Sequence, residues 1–209
     1  MSKDSSFSIL KYIPALAERH SEYSLGNEVQ APLEEVRQLL QDVLLYVPSG
    51  FNSQPVRMVL LSGEKHLAHW DLVGEILMHK IGIERYEKSA ARDRIENVFK
   101  KALGTVLFFD DTDVTDRMMK ENPRYELNFP KWAHQAQGSH QYMVWIGLRA
   151  LGYGANLQHY NNMRDDLIRK QLGLPDNWDF VAHMPFGSII EPAAPKEKNP
   201  IEMMLKVFE

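Results

Sequence analysis

Pro48-Ser49-Gly50-Phe51-Asn52-Ser53-Gln54-Pro55 joins a strongly helical segment to a strand-like run, Arg57-Met58-Val59-Leu60-Leu61. Its side chains are those a polar heterocycle selects. Ser, Asn and Gln carry short donors and acceptors, Gly50 admits close backbone approach, and Pro48 and Pro55 stiffen both edges. Read alone, the octapeptide is an ordinary helix-to-strand connection, because Pro, Gly, Asn and Ser favour turns for local reasons. Its meaning depends on what the rest of the chain supplies.

The helix before it is well marked: Pro32 suits a first helical position, Glu34 and Glu35 complement the dipole, and Val36, Leu39, Leu40, Val43 and Leu44 form one stripe. Further upstream, Ile9, Tyr12, Ile13 and Leu16 follow helical spacing up to Arg19-His20-Ser21, with Pro14 as a kink or a late start. Downstream of strand 57–61 come amphipathic segments over 67–79 and 92–103, then an apolar strand, Thr105-Val106-Leu107-Phe108-Phe109. Asp110, Asp111 and Asp113 close that strand and are expected to cap the next helix. After the aromatic loop 122–130, a long apolar helix is predicted from Trp132 to Leu151, stopped by Gly152 and Gly154. Residues 155–160 read as a short strand opening into a loop, followed by a helix from Arg164 to Leu172 and a strand over 180–189. The tail from Glu191 carries Pro192, Pro195 and Pro200, and ends in an apolar stretch, 203–208, that needs a surface to cover it.

With 209 residues and 44% hydrophobic composition, one domain spanning 1–209 can bury a substantial core. The balance of 24 basic against 28 acidic residues gives a net charge of −4 and no basic arm, so nucleic acid is not an expected partner. Cysteine is absent, which excludes disulfides, thiolate nucleophiles and cysteine-ligated metal; redox chemistry would have to come from a cofactor. No signal-peptide pattern and no apolar run of about 20 residues occurs, so the expectation is a cytoplasmic protein without a membrane partner.

Neither the spaced-glycine dinucleotide fingerprint nor the P-loop is present. Arg19 and Ser21 offer another phosphate cradle, a guanidinium fork with a hydroxyl two residues away. His66 and His69 have i, i+3 spacing but no accompanying HExxH pattern, and the aspartates at 110, 111 and 113 lack a calcium loop's Gly and distal Glu, so no metal site is expected. Ser139-His140 and Ser188 lack a nucleophile elbow. Among the aromatics, Trp132, Phe51 and Phe129 are the candidates for stacking on a flat ligand, Trp145 reading as helical core.

Taken in order, Arg19-His20-Ser21, the 48–55 loop, Gly152-Tyr153-Gly154-Ala155-Asn156 and the basic Lys206 resemble the FMN-dependent nitroreductase family. Phe129-Pro130-Lys131-Trp132, Leu157-Gln158-His159-Tyr160-Asn161 and Met184-Pro185-Phe186-Gly187 make the chain similar to its short subgroup, the fungal fatty-acid-repression-type enzymes and their bacterial relatives. The resemblance spans essentially the whole chain. It implies an α+β fold, a three-layer α/β/α sandwich with a mainly antiparallel central sheet. It also implies an intertwined homodimer in which residues 191–209 form an arm packing on the partner subunit.

The same resemblance assigns roles. Arg19, His20 and Ser21 would hold the FMN phosphate or the adjoining ring edge, with Lys206 adding charge. Ser49, Gly50, Asn52 and Gln54 would line the isoalloxazine and ribityl chain across the dimer interface. Leu157, Gln158 and His159 would place a backbone amide near the reactive flavin nitrogen, where a donor stabilises developing negative charge. Phe51, Trp132 and Gln135 would border the substrate side. The implied activity is ping-pong reduction of nitroaromatics, quinones or similar planar acceptors, with NADH or NADPH as donor and no protein nucleophile. A flavin-binding stress or regulatory protein with little turnover is the alternative. Tyr23 stands where many members carry a further basic residue, leaving phosphate neutralisation to Arg19 and Lys206.

Overall fold

The computed structural model describes residues 8–160 and 165–208. A four-strand path, β1 (Leu25–Gly26), β5 (Trp178–Ile189), β3 (Gly104–Asp111) and β2 (Val56–Ser62), forms an antiparallel sheet, and β4 (Gly154–Ala155) pairs with β5 off that path. A single parallel bridge joins Ser21 to Ala155. The mixed, mainly antiparallel architecture expected from the sequence is therefore present.

Alternation along β3 divides the core. Val106 and Phe108 face one side, where α2 (Leu33–Tyr46) and α7 (Phe129–Ala150) supply Val36, Leu40, Val43, Val144 and Leu148. Leu107 and Phe109 face the other side, toward Leu72 of α3 (Gly63–Ile81) and Ile168 of α8 (Asp165–Leu172). Helices on both faces of one sheet make three layers. A bulge shifts the register so that Phe108 pairs with Ala182 but Phe109 with Phe180; the extra residue, Val181, puts Phe180 on the α3 side with Phe109.

Several boundaries differ from the sequence reading. The first helix is broken into a 3-10 turn, Ile9–Lys11, and a short α1, Ala15–Glu18, with Pro14 at the N-cap of the second piece. The segment expected as one helix over 92–103 is α5 (Ala90–Arg94) followed by a π-helical turn, Ile95–Phe99, that buries Ile95 and Phe99. Between α3 and α5 lies α4, Ile83–Glu87. Residues 155–160 form only the end of β4 and a bridge from Gln158 to His183. Asp111 occupies the N-cap of α6 (Thr112–Glu121) without capping it, because its carboxylate is committed to Arg57 and Asn177. Asn161 and the expected helix start at Arg164 lie outside the described residues. Among those described, no helix is long and apolar enough to cross a membrane.

Candidate active site

The Arg19-His20-Ser21 segment leaves α1 extended and joins the sheet beside β4. Glu22 donates its amide to the Ala155 carbonyl (3.0 Å), and Asn156 returns its side-chain amide to the Glu22 carbonyl (2.7 Å). Gln158 donates to the Asn156 side chain at 2.8 Å. Residues 19–22 and 155–158 are thus laced together. The Arg19 guanidinium lies over the Trp145 ring at 4.6 Å, its Nε is buried without a hydrogen-bond partner, and no ion pair to it occurs among the described residues. A half-buried cation resting on an aromatic face and lacking a counter-ion is suited to receive an anion.

Gln158 exchanges both backbone hydrogen bonds with His183, at 2.8 and 2.9 Å. Alternation then turns the amides of Leu157 and His159 away from β5, and neither has a backbone acceptor among the described residues. Of the three amides expected near a ligand, the fold commits that of Gln158 and leaves those of Leu157 and His159 outward. His20 is half-buried and His159 exposed.

The 48–55 loop is a single 3-10 turn, Gly50–Asn52, with an unusual backbone: Phe51 (φ 56°), Asn52 (51°) and Gln54 (54°) all adopt left-handed conformations. For non-glycine residues this costs about 1–3 kcal/mol each. Ser49 Oγ accepts the Gln54 amide at 2.9 Å, which closes the loop. A Cβ on Gly50 would stand 3.1–3.2 Å from the Trp132 side chain, so glycine lets the loop lie on α7. Phe51 stacks on Trp132 (5.5 Å, 21° between planes) and meets Tyr125 and Phe129, also at 5.5 Å, yet remains 55% exposed. Gln135, one turn beyond Trp132, is exposed.

Lys206 is exposed in the C-terminal segment, where its ammonium donates to the Glu202 carbonyl at 3.0 Å. The root of that segment is pinned by Glu22, whose buried carboxylate accepts the Ala193 amide at 2.7 Å.

The structure brings together Arg19, Ser21 and residues 155–158, and separately gathers the 49–54 loop with Trp132. It does not join these two groups within one chain. Trp132 and Trp145 are thirteen positions apart on α7, about 20 Å along its axis.

Sequence reasoning passed over several residues. Trp145 is half-buried beneath Arg19 and donates its Nε1 to the Ala155 carbonyl at 3.2 Å. A cavity of about 600 Å3 next to His159 is lined by Asp110, His134 and Asp179, among others. The Asp110 carboxyl is pushed up by burial, opposed by a 2.6 Å hydrogen bond from the buried Gln137 amide. Only residue type at the end of β3 pointed there. Among the described residues, no group of three or more His, Cys, Asp or Glu is disposed to hold a metal ion.

The sequence pattern of the Nitroreductase family matches residues 16–188. The chain belongs to the nitroreductase family. HBN1 of Saccharomyces cerevisiae is 32% identical over 203 residues, covering 96% of this chain and 98% of the yeast protein. The nitroreductase CinD from Lactococcus lactis, solved in complex with nicotinic acid, superposes with a TM-score of 0.86 at 34% identity, over 95% of this chain and 100% of CinD. CinD has also been solved with chloramphenicol and with 4-nitrophenol. A more distant fold relative from Desulfovibrio desulfuricans, 18% identical with a TM-score of 0.69 over 98% of this chain and 99% of its own, was solved with FMN.

Proposed function

We propose that this nitroreductase-family chain is an FMN-dependent oxidoreductase that uses NADH or NADPH to reduce nitroaromatics, quinones or similar planar acceptors. The observation that carries the reading is Arg19: a guanidinium on Trp145 with no ion pair among the described residues, its buried Nε unsatisfied, in the segment that pairs with 155–158, whose neighbouring amides at Leu157 and His159 turn outward. This donor set fits a flavin mononucleotide. Arg19 and Ser21, with His20, take the phosphate and ring edge, and Lys206 adds charge from the C-terminal segment. The amides of Leu157 and His159 serve as donors where negative charge develops. Ser49, Gly50, Asn52 and Gln54 form the opposite wall, and Phe51, Trp132 and Gln135 border the acceptor. FMN, held by these residues, would supply two-electron hydride chemistry between the nicotinamide donor and the planar acceptor. The protein's part is to bind and orient it, and no protein nucleophile is needed.

The reading includes a homodimer. The loop wall and the Arg19 cradle stand about 20 Å apart along α7, which supports completion of each site by a second copy's loop. An apolar groove between α2 and α7, lined by Leu39, Val43, Tyr46, Tyr142 and Met143, adjoins that loop and offers the contact surface. The exposed Met203, Met204, Leu205, Val207 and Phe208 would cover the partner in the same assembly. A cytoplasmic location matches the nicotinamide donor.

Purified protein should be yellow and should oxidise NADH or NADPH when 4-nitroquinoline N-oxide or a quinone is added. Colourless protein that neither binds added FMN nor turns over would sink the reading, and yellow protein without turnover would leave only flavin binding.

A further inference from the structure

The strained 49–54 loop is held by a device outside itself. Arg57, the second residue of β2, turns back and donates Nη1 to the Gln54 carbonyl (2.8 Å) and to the Val56 carbonyl (3.0 Å). Its Nη2 pairs with Asp111 Oδ2 at 2.7 Å. The other oxygen of Asp111 accepts the Asn177 side-chain amide at 2.7 Å, and the Asp111 amide donates to the Pro55 carbonyl at 2.8 Å. Asn177 in turn accepts the Thr112 amide at 2.9 Å. The exit of the loop is thereby tied to the end of β3, to the residue that precedes β5 and to the start of α6.

The consequence falls on Gln54. Its amide is taken by Ser49 and its carbonyl by Arg57, so both backbone polar groups of a left-handed, non-glycine residue are fixed from opposite sides. A backbone of that kind persists only where its surroundings over-determine it. The Asp111 side chain is 11% exposed, and the Arg57 side chain 31%; a charge-assisted pair so screened from water holds geometry better than a surface pair. The side chains of Asn52 and Gln54 are left exposed, presented outward from a fixed frame.

We infer that Arg57, held by Asp111 and Asn177, is a positioning residue that sets the 49–54 loop in its ligand-binding conformation, so that flavin affinity at the partner's site depends on a side chain that does not touch the flavin. This rests on the proposed function, in which that loop forms the wall of an FMN site.

The test compares Arg57→Ala, Arg57→Lys and Asn52→Ala with the wild-type protein, measuring FMN affinity by quenching of flavin fluorescence and amide hydrogen exchange of the apo protein. Arg57→Ala is expected to weaken FMN about tenfold and to speed exchange in residues 50–54 while the helices exchange as before. Arg57→Lys keeps the charge facing Asp111 but cannot reach both carbonyls and the carboxylate together, so it should fall between; it carries the test if the alanine variant does not fold. Unchanged exchange in 50–54, or faster exchange with unaltered FMN affinity, overturns the positioning role. If Asn52→Ala weakens FMN while both Arg57 variants bind normally, that role fails and the flavin site stands. If the wild-type protein binds no FMN, or Asn52→Ala binds as tightly as wild type, the loop's flavin contact fails and takes the role with it.

Discussion

His69 and His183 share one hydrogen bond, Nε2 to Nδ1 at 2.8 Å, in the core between α3 and the sheet. One ring must donate and the other accept, so the two cannot both be protonated while the bond is made. Trp70, Tyr160 and Phe180 pack around them, and the backbone of His183 holds Gln158. A pair of titratable rings therefore lies directly behind the 155–159 segment.

This pair predicts acid sensitivity. Burial holds His69 down to about 3 and His183 well below its ordinary value, against about 6.5 in the unfolded chain. The unfolded state then binds protons that the folded state refuses, so stability is full above about pH 6.5 and falls as pH drops from there toward 3. Both histidines act in the same direction, so their losses reinforce each other as the pH falls. Urea unfolding between pH 7.5 and 4.5 should show the slope, and His69→Gln should flatten it.

Arg19→Ala should lower FMN affinity about 10- to 100-fold, the scale of one charge-assisted hydrogen bond at about 1.5–3 kcal/mol. The apo protein should unfold at nearly the same temperature. Dialysis followed by fluorescence titration checks it, and undiminished flavin retention would count against the phosphate assignment.

Phe51→Ala should raise KM for a planar acceptor about 2- to 10-fold with kcat little changed, since a stacked aromatic pair contributes about 0.5–1.5 kcal/mol beyond area burial. Steady-state kinetics with a quinone measures this. A fall in kcat at constant KM would place the ring elsewhere in the cycle.

Tyr142→Glu puts a charge into the apolar groove between α2 and α7. Light scattering should report a monomer, and the flavin should be lost with the partner. A dimeric, flavin-replete variant would move the interface to another face.

Most of the layered fold was legible, because apolar alternation in 105–109 and the stripe in 32–46 are strong, local signals. What local signals missed was tertiary. Asp111 reads as a helix cap in sequence, but an arginine 54 residues away claims its carboxylate. The π-helical turn at Ile95–Phe99 satisfies the burial of Phe99 against Trp70, a contact no period of 3.6 encodes. Of the stretches that carried the resemblance, the structure gathers residues 19–22 with 155–158 and packs the 49–54 loop elsewhere, on Trp132. Trp145 was set aside as core because helical aromatics usually are. Its second role depends on Arg19 arriving from another part of the chain.

The distance between Trp132 and Trp145 also makes a prediction about inheritance. In a homodimer whose sites each draw the cradle from one chain and the loop from the other, Arg19→Ala and Asn52→Ala are defects of different halves. Co-expressed in one cell, the two variants would form mixed dimers having one doubly damaged site and one with neither lesion. Random pairing makes half of the dimers mixed, so a quarter of all sites would be restored although neither gene encodes a sound protein. Two such alleles would complement each other, as lesions confined within a single chain's site could not.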